Sequence, residues 1–186
     1  MSLLGGFSSW KLARQREALM AIDGFSTAPR ALLGIDYDAI PVGTFENISG
    51  IRLSWIGPDS FLFHHTPSEA FRFVRRNGEI IVPENMFTDG GTIPKLLWQF
   101  HGLSPWGYAP AFLVHDWEFE AHHCGLSPKS FEEARDTLTE GIKTLMEMGL
   151  CEKSPLILST IYEGVNSFVA RRIWDRIPPS CTLPKQ

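Results

Sequence analysis

Two adjacent ionisable residues, His115 and Asp116, lie in an otherwise apolar segment, and their side chains are the best suited in this sequence to chemistry. In a helix over Ala109–Ala121, the flanking apolar residues would point to every side, which is typical of a helix buried in a core. Burying a charge there is costly unless the group is paired, hydrogen-bonded or bound to a metal. The pair therefore indicates either a reactive site or a structural pair satisfied by backbone groups or an arginine.

A second set of polar residues precedes this helix in the sequence and is separated from it by a short segment. Asp89 supplies a carboxylate, Thr88 and Thr92 supply hydroxyls, and Gly90 and Gly91 can adopt positive φ. An aspartate or threonine at this place is also an ordinary N-cap for a following helix. The loop is therefore a candidate partner of the His-Asp pair, with a capping role as the alternative.

Aromatic residues are dense around both segments. They are candidates for lining a pocket that takes an acyl chain or a sugar, although aromatic side chains beside a core helix more often serve packing. The four residues of this predicted pocket are Trp98, Trp106, Tyr108 and Trp117.

A zinc site is a weaker alternative. His115, Glu118 and His122 fall on one helical face, and Cys124 follows shortly after. The spacing matches no recognised two-ligand metalloprotease motif, and His122 could equally belong to a solvated helix end.

Composition excludes several classes of protein. Hydrophobic residues make up 44% of the 186 residues and charged residues 20%, as in an ordinary globular domain without a disorder signature. The net charge of -4 argues against a mainly electrostatic grip on nucleic acid. The odd number of scattered cysteines predicts reduced thiols in a cytoplasmic compartment rather than a disulfide framework. These cysteines are Cys124, Cys151 and Cys181.

Targeting signals are not evident. The apolar start of the chain, residues 1–10, lacks the basic region and cleavage site of a signal peptide, and no apolar run is long enough to cross a bilayer. We therefore expect a protein that is not secreted by a signal peptide and has no transmembrane segment.

Periodicity predicts an α+β fold: a small antiparallel sheet packed on a C-terminal bundle of about three helices, with an irregular N-terminal arm. The arm and an N-terminal helix occupy residues 1–45, one α+β domain occupies residues 46–177, and residues 178–186 form a tail. Within the domain, the sheet spans residues 50–83, the motif loop 87–108 and the helices 109–174.

Two local signals place the elements around the site. Asn77-Gly78 predicts a hairpin turn, and Ser130 with Glu133 forms a capping box that opens a helix running through Met148. This helix is amphipathic and should lie antiparallel to the helix that carries His115.

An ordered set of short motifs resembles a family of domains of unknown function found mostly in phages and prophages. The likeness covers about residues 71–174 and implies a phage context and a shared α+β domain, without an established activity. Its motifs are Ile81-Val82-Pro83, Phe87 to Pro94, Trp98, Trp106 to Ala109 and His115-Asp116-Trp117.

The His-Asp pair also resembles that of phospholipases of the secreted and parvoviral capsid type. That likeness implies that His115 deprotonates a water, that Asp116 holds calcium with loop carbonyls such as those around Gly90 and Gly91, and that an aspartate of the second helix orients the imidazole.

This chain departs from the pattern on the second helix. Arg135 stands where the phage family usually has an aspartate, and Asp136 lies one step off the inward face. Either Asp136 takes the orienting role, with Glu133 as a substitute, or Arg135 pairs with Asp116 as part of the structure and lowers the basicity of the histidine.

Two hypotheses follow for the function. The first is a hydrolase of ester-like bonds in which His115 activates water and Asp116 with Asp89 binds a divalent cation, calcium rather than zinc. The second is a non-catalytic virion or assembly component whose arm, residues 1–41, docks on a phage structural protein. Both predict a location in the host cytoplasm or the virion.

Overall fold

A computed structural model describes residues 34–58, 60–89, 105–176 and 181–184 of the chain. The fold is α+β, with short antiparallel strands followed by C-terminal helices, as the sequence predicts. The strands are β1 (Thr44–Glu46), β2 (Leu53–Gly57), β3 (Ser60–Phe63), β4 (Arg72–Val74), β5 (Ile80–Ile81) and β6 (Met86–Thr88). The helices are α1 (Ala109–His123), α2 (Phe131–Glu147), α3 (Pro155–Val165) and α4 (Phe168–Trp174).

The strands form two three-stranded antiparallel sheets, in the orders β1-β4-β5 and β2-β3-β6, where periodicity predicts one sheet. The Asn77-Gly78 turn joins β4 to β5 as predicted, and Gly78 adopts a φ of 89°. Strands β1 and β6 are each three residues long, too short to show an alternating pattern in the sequence. The pairing of Phe61 with Thr88 places the end of β6 in the second sheet.

Helices α1 and α2 pack against each other in antiparallel fashion. The residues in contact run in opposite directions along the two helices, since Ala111 lies beside Gly141 and Phe119 beside Phe131. The predicted capping box is present at the start of α2, with Ser130 and Glu133 each bonding the backbone of the other.

The third predicted helix is divided in two. Helix α3 ends at Val165, and the Ser167 side chain accepts a hydrogen bond from the Ala170 backbone N–H to cap the start of α4. A serine inside an apolar pattern is compatible with a continuous helix, so periodicity alone did not reveal this break.

The described end of the N-terminal arm packs on α2. Lys143 Nζ donates to the carbonyls of Tyr37 (2.8 Å) and Ile40 (2.6 Å), and the Gly43 N–H donates to Thr144 Oγ1 (2.9 Å). This part of the arm therefore belongs to its own domain, while the predicted N-terminal helix lies outside the described residues.

The prediction of three reduced thiols is wrong for two of them, because Cys124 and Cys181 form a disulfide. Sequence spacing hides this pairing, since 57 positions separate the two cysteines and the C-terminal tail must first return to the end of α1. Cys151 is the free cysteine of the described residues.

Among the helices of the described residues, none has the length and apolar character needed to cross a membrane.

Candidate functional site

The Asp116 carboxyl is half-buried between α1 and the end of β6. Because β6 pairs with β3, Thr88 is held against α1, and its Oγ1 donates to Asp116 Oδ2 at 2.5 Å. The pKa of Asp116 is raised from 3.8 to about 7, chiefly by removal of the carboxyl from solvent and to a smaller extent by the nearby Asp89 charge, while the Thr88 hydrogen bond acts in the opposite direction. No cationic side chain of the described residues contributes to this shift.

Asp89 is exposed and directly follows β6, near enough for its charge to act on the Asp116 carboxyl that Thr88 contacts. Oxygen ligands of this kind suit a hard cation such as calcium better than zinc. The other residues of the predicted loop, Gly90, Gly91 and Thr92, lie outside the described residues.

His115 is buried on a different side of the same helix and is only 1% exposed. Its ring packs edge-on against Phe119 at 4.8 Å between centroids. Neither ring nitrogen makes a hydrogen bond with the described residues. Burial lowers the pKa of His115 from 6.5 to about 4, while the nearby Ala134 carbonyl acts in the opposite direction without reaching hydrogen-bonding geometry. At neutral pH the imidazole is therefore uncharged.

Asp136 does not reach the imidazole in this structure. Its side chain is 53% exposed, and its Oδ1 accepts from Arg135 Nε (2.9 Å) and Nη2 (2.7 Å). No hydrogen bond joins Asp136 to His115 among the described residues, and the group of α2 that faces the ring is the Ala134 backbone. The geometry gives Asp136 no orienting contact.

Arg135 is likewise turned away from Asp116. Besides Asp136, its guanidinium bonds Asn166 Oδ1 at 3.1 Å and lies over the Tyr162 ring at 4.9 Å. It therefore connects α2 to the end of α3, and no arginine of the described residues pairs with the Asp116 carboxyl.

The predicted aromatic pocket is only partly described. Tyr108 is 2% exposed and belongs to the main core, and Trp117 packs against that core while also lining a cavity. Trp98 and the side chain of Trp106 lie outside the described residues. Of the predicted pocket, the described residues thus show one core tyrosine and one cavity-lining tryptophan.

The alternative zinc set is not assembled. Glu118 pairs with Lys129, His122 stacks on Trp174 at 4.0 Å, and Cys124 is oxidised. Among the described residues, a different set of three possible metal ligands lies close together. Two members of this set are the cysteines of the disulfide. The set is Glu120, Cys124 and Cys181.

Sequence reasoning missed a chain of ion pairs beside α1. Lys129 joins Glu118 on α1 to Glu79 in the β4-β5 hairpin, and Arg75 joins Glu79 to Glu140 on α2. No local sequence pattern predicts these ion pairs, because the residues that form them come from separate segments that meet only in the folded chain.

No protein family, curated protein or solved structure matches this chain when its sequence and fold are compared with known ones.

Proposed function

We propose that this protein is a divalent-cation-dependent hydrolase of ester-like bonds, with Asp116 and Asp89 binding the cation and His115 activating water. The observation that carries the proposal is the half-buried Asp116 carboxyl, which lies beside the Thr88 hydroxyl and a second carboxylate and whose pKa is raised to about 7. Such a pair costs free energy unless a cation or a proton neutralises it.

The donor set at Asp116 fits calcium. It offers two carboxylates from α1 and the end of β6, with the Thr88 hydroxyl beside them. A bound divalent cation supplies Lewis acidity and lowers the pKa of a water molecule that it holds. The side chains position the cation, and Asp116 would bind it in the ionised form that its surroundings disfavour when no cation is bound.

His115 meets one requirement of a general base, since it is neutral at pH 7 and both its nitrogens lack hydrogen bonds within the described residues. Arg135 does not oppose this role, because its guanidinium is held by Asp136 and Asn166. The role requires water to reach a side chain that is 1% exposed and that faces α2, on a different side of α1 from the Asp116 carboxyl. His115 is therefore the proposed general base, and Asp136 has no role in the proposed reaction.

The motifs that resemble the phage and prophage family add a biological setting to this proposal. They suggest a phage-encoded enzyme acting in the host cytoplasm or from the virion, on a lipid or cell-wall ester.

The first test is a calorimetric titration of the protein with calcium. We expect stoichiometric binding that is lost in Asp116→Asn, because this variant removes the charge and nearly preserves the shape. Asp136→Asn is the matched control and should bind calcium like the native chain, since its carboxylate is exposed and paired with Arg135. Equal binding by the native chain and Asp116→Asn would show that the cation site is elsewhere.

The second test measures hydrolysis of phospholipid vesicles and of a soluble fluorogenic ester with calcium present. We expect turnover to fall about a hundredfold or more in His115→Gln. Calcium binding with unchanged turnover in this variant would retain the cation site and reject the catalytic role of the histidine.

A non-catalytic phage structural component is the second candidate, and the burial of His115 favours it. The ring lies between Phe119 and the α2 backbone, as a packing residue would. Arm residues 34–43 are already engaged with their own α2, so docking on a phage protein would fall to residues 1–33. Absence of calcium binding, together with co-purification with virions, would select this function.

A further inference from the structure

A cavity of about 320 Å³ lies between the β5 region, α1 and the loop that follows α1. It is near the lower end of the size range of small-molecule pockets. It involves a part of α1 other than the Thr88–Asp116 contact and is independent of the proposed hydrolase. Its lining residues are Glu79, Ile80, Ile81, Val82, Trp117, Glu118, Ala121, Leu126, Ser127 and Lys129.

The polar wall of this cavity contains an incompletely paired carboxyl group. Glu118 is 2% exposed, and its Oε1 accepts from Lys129 Nζ, whereas Oε2 has no hydrogen bond with the described residues. The same Lys129 ammonium also contacts Glu79 Oε1 at 2.5 Å. One cation is therefore shared by two carboxylates at the cavity wall.

The ion-pair chain behind the wall does not supply a second cation to Glu118. Arg75 is held by Glu140 at 2.9 Å and by Glu79 at 3.1 Å. Within the described residues, the chain from Glu118 to Glu140 thus contains three carboxylates and two cations.

Apart from Ser127, the rest of the cavity wall is apolar. Ile81 and Ala121 are buried, Leu126 is exposed at the rim, and Trp117 contributes an aromatic surface. An apolar wall with a few polar groups on one side is typical of pockets for small amphipathic molecules. A tryptophan ring also attracts organic cations.

We propose that this cavity binds a small organic amine. Its ammonium group donates to the accessible Glu79 carboxylate, which shares Lys129 with the buried Glu118 carboxyl. Its aliphatic or aromatic body packs against Trp117 and Leu126. The ammonium supplies the positive charge that the ion-pair chain lacks. A neutral molecule of the same shape would fill the apolar part but would leave the extra carboxylate uncompensated.

The test is an NMR titration of the ¹⁵N-labelled protein with benzylamine and, in parallel, with benzyl alcohol, which has the same ring without the charge. We expect benzylamine to bind with a Kd of about 1 mM or tighter. The shifted signals should be the Trp117 indole and the amides of Ser127 and Lys129. Benzyl alcohol should bind about tenfold more weakly or not at all. Equal affinities, or shifts confined to other parts of the molecule, would overturn the proposal.

Amino-acid substitutions test which carboxylate is needed for benzylamine binding. Glu118→Gln should weaken benzylamine binding about tenfold or more, whereas Glu46→Gln, at an exposed pair with Arg72, should leave it unchanged.

A second pair of variants, both at Leu126, tests the proposal even if Glu118→Gln does not fold. Leu126 is 61% exposed at the rim, so Leu126→Lys should weaken binding and Leu126→Glu should strengthen it, each severalfold. Unchanged affinity in both Leu126 variants would overturn the proposal.

Discussion

At the scale of single residues, His115 and Asp116 are neighbours in the chain but not in their surroundings. Successive side chains on an α-helix point about 100° apart, so one faces α2 and the other faces β6. Burial acts on the two in opposite directions, lowering the pKa of His115 and raising that of Asp116. Burial thus shifts both groups toward their neutral forms.

This difference predicts how stability depends on pH. The folded pKa of Asp116 is about 7 against an ordinary 3.8, so the folded chain binds more protons than the unfolded chain between about pH 4 and pH 7. The Asp116 contribution therefore makes the free energy of unfolding fall as pH rises through this window. Asp116→Asn lacks the effect and should be more stable than the native chain near pH 8 by roughly 1–3 kcal/mol, without calcium.

Urea unfolding of both chains, followed by circular dichroism between about pH 4 and pH 8, measures the difference. The folded pKa of His115 is lowered, so its own contribution makes stability rise between about pH 4 and pH 6.5. Because that contribution is common to both chains, the difference between them isolates Asp116. A constant difference across the range would contradict the raised pKa.

At the scale of elements, the contact between α1 and α2 depends on a glycine. A Cβ at Gly141 would lie 3.2 Å from the Ala111 Cβ and 3.4 Å from the Phe45 ring, so the helices approach closely because no side chain separates them. The same contact contributes to the framework that holds Asp116 against β6. Gly164 on α3 is the contrasting case, because a Cβ added there would meet no neighbouring side chain or other element within 4 Å.

We expect opposite effects from substituting these two glycines. Gly141→Val should lower the free energy of unfolding by about 2 kcal/mol or more, because the added methyl groups meet a packed helix and ring. Gly164→Ala should raise it by about 0.5–1 kcal/mol through helix propensity alone. Thermal and urea unfolding measure both variants, and a Gly141→Val chain as stable as the native one would show that the helices separate readily.

At the scale of the whole molecule, the C-terminal end is fastened to α1. The Cys124–Cys181 disulfide joins the two, and the Thr182 backbone N–H and hydroxyl both donate to Glu120. Near the same helix end, His123 Nε2 bonds the Ile173 and Trp174 carbonyls of α4. The end of α1 is therefore the place where the tail and the last helix meet.

Thiol alkylation tests this arrangement. In the unfolded, unreduced chain we expect one reactive thiol, Cys151, and three after reduction, counted by mass spectrometry. Closing a loop across 57 positions should stabilise the fold by about 2–4 kcal/mol, so a reductant should lower the Tm. Cys151→Ser is the control and should respond to the reductant like the native chain. Three reactive thiols before reduction would exclude the disulfide.

The sequence by itself determined what depends on near neighbours along the chain. The core helix, the capping box at Ser130 and the Asn77-Gly78 turn each rest on periodicity or on contacts within a few residues, and all are present. The α+β class followed from the same local patterns. Periodicity also singled out Asp116 as an ionisable residue in an apolar helix, and in the fold its pKa is raised.

Only the tertiary structure decided which distant groups meet. It brought Thr88 to Asp116, turned Arg135 toward Asn166, returned Cys181 to Cys124, and joined Glu118 to Lys129. Except for Glu118 and Lys129, these pairs are separated by dozens of residues, and all lie on surfaces whose relative position is set by the packing of sheets and helices. Periodicity gives the buried side of an element but not the identity of the group that faces it.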